Sequence, residues 1–231
     1  MHDQNPNQEM YQPGVQTGIQ STFFGKVMSY FALAIFTSTV GIFVTFQYFM
    51  EFFIKYPAAM WGLFIGELAI IFTSRWWSKK SPLNRFLFGG FAFITGVTVA
   101  PLIALVLAIP SGVGILIKAL VATTFMFVAT ALIGTKTKYD LSGLRGFLVA
   151  GLIGLIVVGV LGIFFPWGNT MELVYSGFGV LLFSGYTMYD FQKLKSYPED
   201  RYIDAALNLY LDIFNLFIFI LRFMLAFTGR D

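Results

Sequence analysis

The sequence has no cysteine and a single histidine, His2, among its 231 residues. Without cysteine the chain can form no disulfide, no thiolate nucleophile and no cysteine-ligated metal site. His2 lies in a polar terminal segment, so a response to pH near neutrality has to come from carboxylates and not from a histidine in the core. Charged residues are also scarce, at 12% of the chain. The few acidic residues therefore become the candidates for chemistry.

Apolar residues make up 57% of the chain, and the mean hydropathy is +0.75. This composition leaves too little polar surface for a soluble globule and is typical of a polytopic membrane protein. Because about 20 apolar residues cross a bilayer, we predict an all-α protein with a disordered tail at 1–21 and seven transmembrane helices within 22–227. The predicted spans lie near residues 23–50, 58–77, 86–109, 113–134, 146–165, 171–190 and 203–225.

Lysine and arginine are concentrated in alternate connections between these spans. The first, third and fifth connections hold only Lys55. The second, fourth and sixth hold Arg75, Lys79, Lys80, Arg85, Lys136, Lys138, Arg145, Lys193, Lys195 and Arg201. By the positive-inside rule these basic connections and the N-terminal tail are cytoplasmic. The net charge of +3 then reflects membrane orientation, and we expect no nucleic-acid partner.

The last predicted span carries a polar stripe in an otherwise apolar sequence. Its members are Asp204, Asn208, Asp212, Asn215 and Arg222. At 100° per residue all five fall on one helical face, which has to meet a cavity or partner groups because hydrocarbon does not tolerate it. We place Asp204 and Arg222 at the two membrane boundaries, Arg222 by snorkelling. Both a full crossing and a re-entrant hairpin inside a protein-lined cavity are compatible with this pattern.

Three carboxylates lie deeper in the spans: Glu67 in the second, Asp190 in the sixth and Asp212 in the seventh. A short polar connection joins the last two spans, so Asp190 and Asp212 can meet. Two adjacent carboxylates do not both ionise readily, and such a pair would share a proton and act as a proton sensor. As oxygen ligands, Asp190, Asp212 and Glu67 would suit a hard cation such as Ca²⁺, bound weakly. We expect no resident cofactor.

Hydrogen-bond donors near the aspartates give an alternative. Tyr186 and Tyr189 precede Asp190, and Tyr210 precedes Asp212 by two residues. Each aspartate could then be capped separately by tyrosine, asparagine or backbone donors, with no shared proton.

The segments YSGFGVLLFSGYTMYD and LNLYLDIFNLFIFILRF resemble the Bax inhibitor family, also called transmembrane Bax-inhibitor-motif proteins, and especially its bacterial calcium-leak members. The resemblance extends over nearly the whole chain after the tail and includes Glu67, the segment GVTVAP ending at Pro101, and FMFVATALIGTKTKYDLSGL. It implies a seven-helix fold with the last helix in the middle. It also implies a pH-sensitive Ca²⁺ leak in the bacterial inner membrane.

The resemblance further implies roles for individual residues. By motif position Asp190 and Asp212 form the paired-aspartate pH sensor, and Glu67 matches an acidic residue of the permeation path. In the family a basic residue near the cytoplasmic end of the second helix latches the aspartate pair. Arg75 is the nearest candidate here, although it lies about one turn earlier than the family pattern.

In our leading hypothesis, protonation of the shared site holds the last two spans together. Loss of the proton repels the aspartates and opens a path for cations lined by Asn208, Asp212, Asn215 and Glu67. The ligands are then Ca²⁺ and protons, the surroundings are the lipid bilayer, and the sequence identifies no protein partner.

Other functions stay open. An intramembrane aspartyl protease also uses a YD motif and an aspartate on the next span. Here the second aspartate lies in LYLD and not in GxGD, and no PAL motif follows, so we expect no enzyme. A non-conducting regulator of a membrane protease or cell-death factor is suggested by the family, and a proton-coupled transporter by the intramembrane carboxylates.

Overall fold

The computed structural model describes residues 13–229, with side chains described from residue 22 onward. Within these residues the chain forms eight α-helices and no strand. The helices are α1 (Pro13–Val44), α2 (Met50–Lys55), α3 (Pro57–Trp77), α4 (Leu83–Ala108), α5 (Gly112–Lys136), α6 (Arg145–Phe164), α7 (Asn169–Lys193) and α8 (Tyr202–Thr228). A π-helical turn, Thr45–Phe49, joins α1 to α2, so the helices form seven long units.

Helix α1 is already helical at Pro13, the first described residue, and so extends ahead of the predicted start of the first span. Residues 13–21, which we expected in a disordered tail, are therefore helical. The rest of the predicted tail, residues 1–12, lies outside the described residues.

Six helical segments in the described part of the chain are long and apolar enough to cross a membrane. They are the α1–α2 unit, α3, α4, α5, α6 and α8. Helix α7 is not among them, because tyrosine, serine, threonine and glycine residues along its length, together with Glu172, Asp190 and Lys193 near its ends, reduce its hydropathy. Six of the seven predicted crossings thus have the length and composition that a span requires.

Large apolar side chains cover the outside of the bundle. Phe72, Phe86 and Phe125 are each more than 70% exposed. In a soluble protein such an extensive apolar surface would be a liability, whereas helices that face lipid require it. The protein is an all-helical integral membrane protein.

Helix α8 lies in the interior of the bundle, where it packs against α1, α4, α5 and α7, most extensively against α7. Helix α4 also packs against four helices and shares the central position. The 27 residues of α8 form one uninterrupted helix, about 40 Å long at 1.5 Å per residue. The re-entrant alternative is therefore wrong. A break in α8 is unnecessary because its polar stripe faces neighbouring helices and not lipid.

Helices α5 and α7 approach each other closely near the end of α7. Gly134 of α5 lies against the backbone of Met188, two residues before Asp190. A Cβ atom at position 134 would overlap that backbone. Glycine at this crossing therefore determines how close α7 can lie to α5, and with it the position of Asp190.

Candidate functional site

The structure brings together the two aspartates that the sequence singles out. Asp190 lies in the last turn of α7 and Asp212 about ten residues into α8, across the most extensive helix contact in the bundle. The charge on Asp190 acts on Asp212, and the charges of both act on Tyr186. Both carboxyl side chains are buried, with Asp190 7% and Asp212 3% exposed.

Local contacts determine where α7 ends. Gln192 donates from Nε2 to the carbonyl of Tyr139 at 2.7 Å and accepts from the backbone N–H of Leu141 at 2.8 Å. Two short 3₁₀ turns, Leu194–Ser196 and Glu199–Arg201, then reverse the chain into α8. This short connection places α8 antiparallel beside α7 and so brings Asp212 near Asp190.

The pair has no counter-charge bonded to it. In the described residues neither aspartate forms an ion pair, and Asp212 Oδ2 is buried without a hydrogen-bond partner. Lys193 is the cation whose charge acts on Asp190, but its Nζ lies over the rings of Tyr197 and Tyr189, 4.9 and 5.7 Å from their centroids. Two buried carboxylates that lack a bonded cation are best stabilised by a proton between them.

Tyr210 lies on the other side of α8 from Asp212. Residues two apart in a helix are separated by about 200°, and the Tyr210 hydroxyl faces the side chains of Ser38 and Thr95. The expectation that Tyr210 could cap Asp212 is therefore wrong. No tyrosine in the described part of the chain donates a hydrogen bond to Asp190 or Asp212.

A cavity of about 400 Å³ opens below the pair, at the end of the bundle where the α3–α4, α5–α6 and α7–α8 connections meet. We call this end the basic end and the cavity the basic cavity. Its lining includes Arg75, Arg145, Lys193, Arg201, Asp204 and Asn208. Asn208, one turn before Asp212, donates from Nδ2 to Tyr197 Oη at 2.9 Å. Tyr197 is in turn close enough to Asp190 and Asp204 for both charges to act on it.

Arg75, the candidate latch, lies in the wall of the basic cavity. Its side chain is exposed, and it makes no ion pair within the described residues. The structure thus places Arg75 near the mouth of the cavity and not on the aspartates. Arg145, Lys193 and Arg201 share this wall, although their positions in the sequence indicated only membrane orientation.

Glu67 forms a separate polar site. It accepts a hydrogen bond from Thr98 Oγ1 of α4 at 2.9 Å, and its charge acts on Tyr210. Asn215 donates from Nδ2 to the carbonyl of Leu211 in its own helix at 2.7 Å. Neither residue is joined to Asp212 by a hydrogen bond in the described residues.

The separation of Glu67 from the aspartates bears on metal binding. The described residues contain no group of three or more His, Cys, Asp or Glu side chains that could hold a metal ion. Glu67, Asp190 and Asp212 therefore do not form one ligand set, and a resident Ca²⁺ site built from all three does not fit this arrangement.

The other end of the α7–α8 pair carries an ion pair that the sequence analysis missed. Arg222 donates from Nε to Glu172 Oε1 at 2.6 Å and from a terminal guanidinium nitrogen to Glu172 Oε2 at 3.1 Å. The Trp167 indole donates to Glu172 Oε2 at 2.9 Å, and the guanidinium lies 5.0 Å from the ring centroid of Tyr175. The predicted position of Arg222 at the outer end of the last span gave no indication of this carboxylate partner on α7. We call the Glu172–Arg222 pair the clasp.

The remaining polar-stripe residue, Asp204, lies in the lining of the basic cavity, 3.8 Å from a guanidinium nitrogen of Arg201. Three members of the stripe thus have polar neighbours on α7 or in the connection after it: Asn208 with Tyr197, Asp212 with Asp190 and Arg222 with Glu172. The prediction that this face meets partner groups is confirmed.

Comparison with known proteins places the chain in a family. Residues 20–229 match the family model described as "Inhibitor of apoptosis-promoting Bax1". An uncharacterized protein of Campylobacter jejuni is 31% identical over 91% of this chain and 90% of its own length. Protein lifeguard 4 of mouse is 32% identical over 92% and 88%, and a Golgi anti-apoptotic protein of vaccinia virus 33% over 89% and 86%. The chain therefore belongs to the Bax inhibitor family.

Proposed function

We propose that this protein is a pH-sensitive leak for Ca²⁺ in which Asp190 and Asp212 are the proton sensor, and that it is not an enzyme. The observation that carries the proposal is the burial of two neighbouring carboxyl groups with no cation bonded to either. Such a pair is stable while it shares a proton and unstable when both groups are ionised. Its protonation state can therefore control how α7 and α8 pack.

The direction of gating follows from the charges. With one shared proton the pair carries a single negative charge and a hydrogen bond can link the two helices. Loss of that proton leaves two like charges, whose repulsion at 4 Å is about 4 kcal/mol for an effective dielectric constant of 20. This repulsion separates α7 from α8 at the basic end. The leak is then closed at acidic pH and opens as pH rises.

The proposed path follows the polar stripe of α8 past Asn208, Asp212 and Asn215. Glu67 lies about ten residues from the basic end of α3, as Asp212 does along α8, and so at a similar depth. After the aspartate pair, the Glu67 carboxylate would be the second negatively charged group that a passing cation meets. The Ca²⁺ ion is cargo in this proposal, held weakly and in succession.

We further propose that α7 crosses the membrane as the seventh span despite its polar ends, and that the basic end faces the cytoplasm of a bacterial cell. The antiparallel packing of α7 along α8 and the contacts at both ends of this helix pair support a seventh crossing. The concentration of basic residues supports the orientation.

Calcium flux into proteoliposomes between about pH 5.5 and 8.5 tests the sensor. Asp190→Asn and Asp212→Asn each remove one ionisable partner and keep the size of the side chain. We expect flux to rise with pH in the wild type and to lose that dependence in both variants. Glu199→Gln, which removes an exposed carboxylate from the same connection, should behave as the wild type. Flux with the same pH profile in all four proteins would contradict the proposal.

A second candidate is a non-conducting regulator of other membrane proteins. The observation that favours it is the name of the viral relative, a Golgi anti-apoptotic protein. Absence of flux from the purified protein at every pH, together with a stoichiometric membrane-protein partner, would favour this function over the leak. Flux that requires an opposing proton gradient would instead indicate a proton-coupled transporter.

A further inference from the structure

The basic cavity gathers cations from separate parts of the chain. Arg75 comes from the end of α3, Arg145 from the start of α6, Lys193 from the end of α7 and Arg201 from the connection to α8. Asp204 is the one carboxylate in its described lining. With four cations and one carboxylate, the lining carries a formal charge of +3.

The protein balances only part of this charge. Lys193 is close enough to Asp190 for the two charges to interact, and Arg201 is 3.8 Å from Asp204. Arg75 and Arg145 have no ion pair within the described residues. A further carboxylate, Asp200, lies nearby, but it pairs at 3.4 Å with Lys79, which does not line the cavity. It therefore balances a cation outside the cavity. Like charges that converge in a concave site repel unless an anion enters. The cavity therefore offers a site for an anion from outside the chain.

The chemistry of the lining favours phosphate over a simple halide. Guanidinium groups present pairs of N–H donors that match phosphate oxygens, and three of the four cations are arginines. Ser74, Tyr197 and Asn208 add neutral polar groups to the wall. A volume of about 400 Å³ lies in the range of small-molecule sites, so the cavity has room for a phosphate with a small attached group.

Orientation alone does not explain this arrangement. The positive-inside rule requires basic residues near the membrane surface, but it does not require residues from three helix ends and a connection to face one space. Lys138 satisfies the rule from an exposed position in the α5–α6 connection, outside the cavity. We propose that the basic cavity is a binding site for a phosphate group, carried either by a soluble phosphate compound or by the headgroup of a membrane phospholipid.

Binding would also affect the leak. Asn208 and Tyr197 line the basic cavity, and Asn208 lies one turn before Asp212, so a bound phosphate would fill the space beside the first residue of the proposed path and slow the flux. This consequence rests on the proposed function, whereas phosphate binding does not.

The test uses the full chain. In the first arm, lipid-depleted protein in a neutral detergent is titrated with inorganic phosphate at low ionic strength by calorimetry. In the second arm, nanodiscs of phosphatidylcholine with and without phosphatidylglycerol are compared by native mass spectrometry for retained phospholipid. Arg145→Gln removes a cavity cation, Arg145→Lys keeps its charge, and Lys138→Gln removes a matched cation outside the cavity.

We expect Arg145→Gln to weaken binding about fivefold, as loss of one exposed ion-pair contact should, and Lys138→Gln to leave it unchanged. Arg145→Lys should retain most of the affinity, which also separates loss of charge from misfolding. Phosphate binding in the first arm without retained phosphatidylglycerol in the second indicates a soluble ligand, and retention of phosphatidylglycerol indicates a lipid headgroup. Either result supports the site.

The proposal is overturned if neither arm detects binding, or if Arg145→Gln and Lys138→Gln have equal effects, because general surface charge would then account for the result. Calcium flux measured with and without the bound anion separates the two proposals. A pH-insensitive leak with intact phosphate binding would overturn the sensor and leave the phosphate site standing. Intact binding with unchanged flux would overturn only the blocking effect.

Discussion

The clasp between α7 and α8 should contribute measurably to stability, in contrast to most ion pairs near a protein surface. Arg222→Gln removes the cation and leaves Glu172 with the Trp167 indole as its remaining donor. Glu172→Gln removes the anion. In the gating account, either change should also loosen the end of the α7–α8 pair that stays closed while the aspartates separate.

The magnitude follows from geometry and burial. Exposed ion pairs contribute about 0.2–1 kcal/mol, and breaking a fully buried pair costs about 3–5 kcal/mol. The clasp is bidentate, and its side chains are 35% exposed for Arg222 and 22% for Glu172, so we expect an intermediate cost of about 2 kcal/mol. For a domain of this size that corresponds to a fall in Tm of about 4–8 °C.

Thermal unfolding of both single variants and the double variant in detergent forms a double-mutant cycle. We expect the double variant to lose much less than the sum of the singles, because each single change already removes the pair. Lys79→Gln with Asp200→Asn gives the matched control, since that pair is exposed at 45% and 59% and should show a coupling of at most about 0.5 kcal/mol. A coupling at the clasp no larger than at this control pair would refute the reasoning.

Two further predictions concern packing and topology. Gly134→Ala should destabilise the protein by about 1–3 kcal/mol, because its methyl group would overlap the backbone of Met188. The control Gly154→Ala, with open space around it, should be neutral or stabilising by up to about 1 kcal/mol. Equal thermal midpoints for the two variants would show that the close α5–α7 approach is unimportant. Because the chain has no cysteine, Ser111→Cys and Ser196→Cys each introduce a single label site at opposite ends of the bundle. In intact cells an impermeant maleimide should label Ser111→Cys and not Ser196→Cys, and the reverse pattern would invert the proposed orientation.

The helix bounds could be predicted well from the sequence. From α3 to α8 the observed ends lie within about three residues of the predicted spans, which is the usual uncertainty of helix ends. Polar and proline-containing connections interrupt long apolar runs, so each helix end is indicated by the residues immediately around it. The helical stretch at residues 13–21 was missed because these residues are polar and have no apolar periodicity.

The aspartate pair was predictable for a related reason. Asp190 and Asp212 lie on consecutive helices joined by a short connection, so the chain itself limits how far apart they can be. Tyr210 shows that proximity in sequence does not by itself predict a side-chain contact. Its proximity to Asp212 in sequence suggested a hydrogen bond, but the helical rotation of two residues directs the two side chains to different neighbours.

The clasp and the basic cavity could not be predicted because they depend on packing between distant segments. Glu172 and Arg222 are 50 residues apart, and each alone reads as a boundary residue at the end of a span. Arg145 meets Arg75 and Lys193 only after α6 has packed beside α7. The spacing of residues along the chain does not determine how one helix is rotated against another.

The central claim is that Asp190 and Asp212 hold one proton between them in the closed state. Infrared difference spectroscopy of the protein between acidic and alkaline pH measures this directly, because a protonated carboxyl group has a C=O stretch that the carboxylate lacks. Glu67 is a third carboxyl group within the spans and is present in every variant, so the shared proton is measured as a difference between proteins. We predict that the wild type and Glu199→Gln lose one more such band as pH rises than the double variant Asp190→Asn, Asp212→Asn does. Loss of the same bands in the double variant as in the wild type would contradict the shared proton.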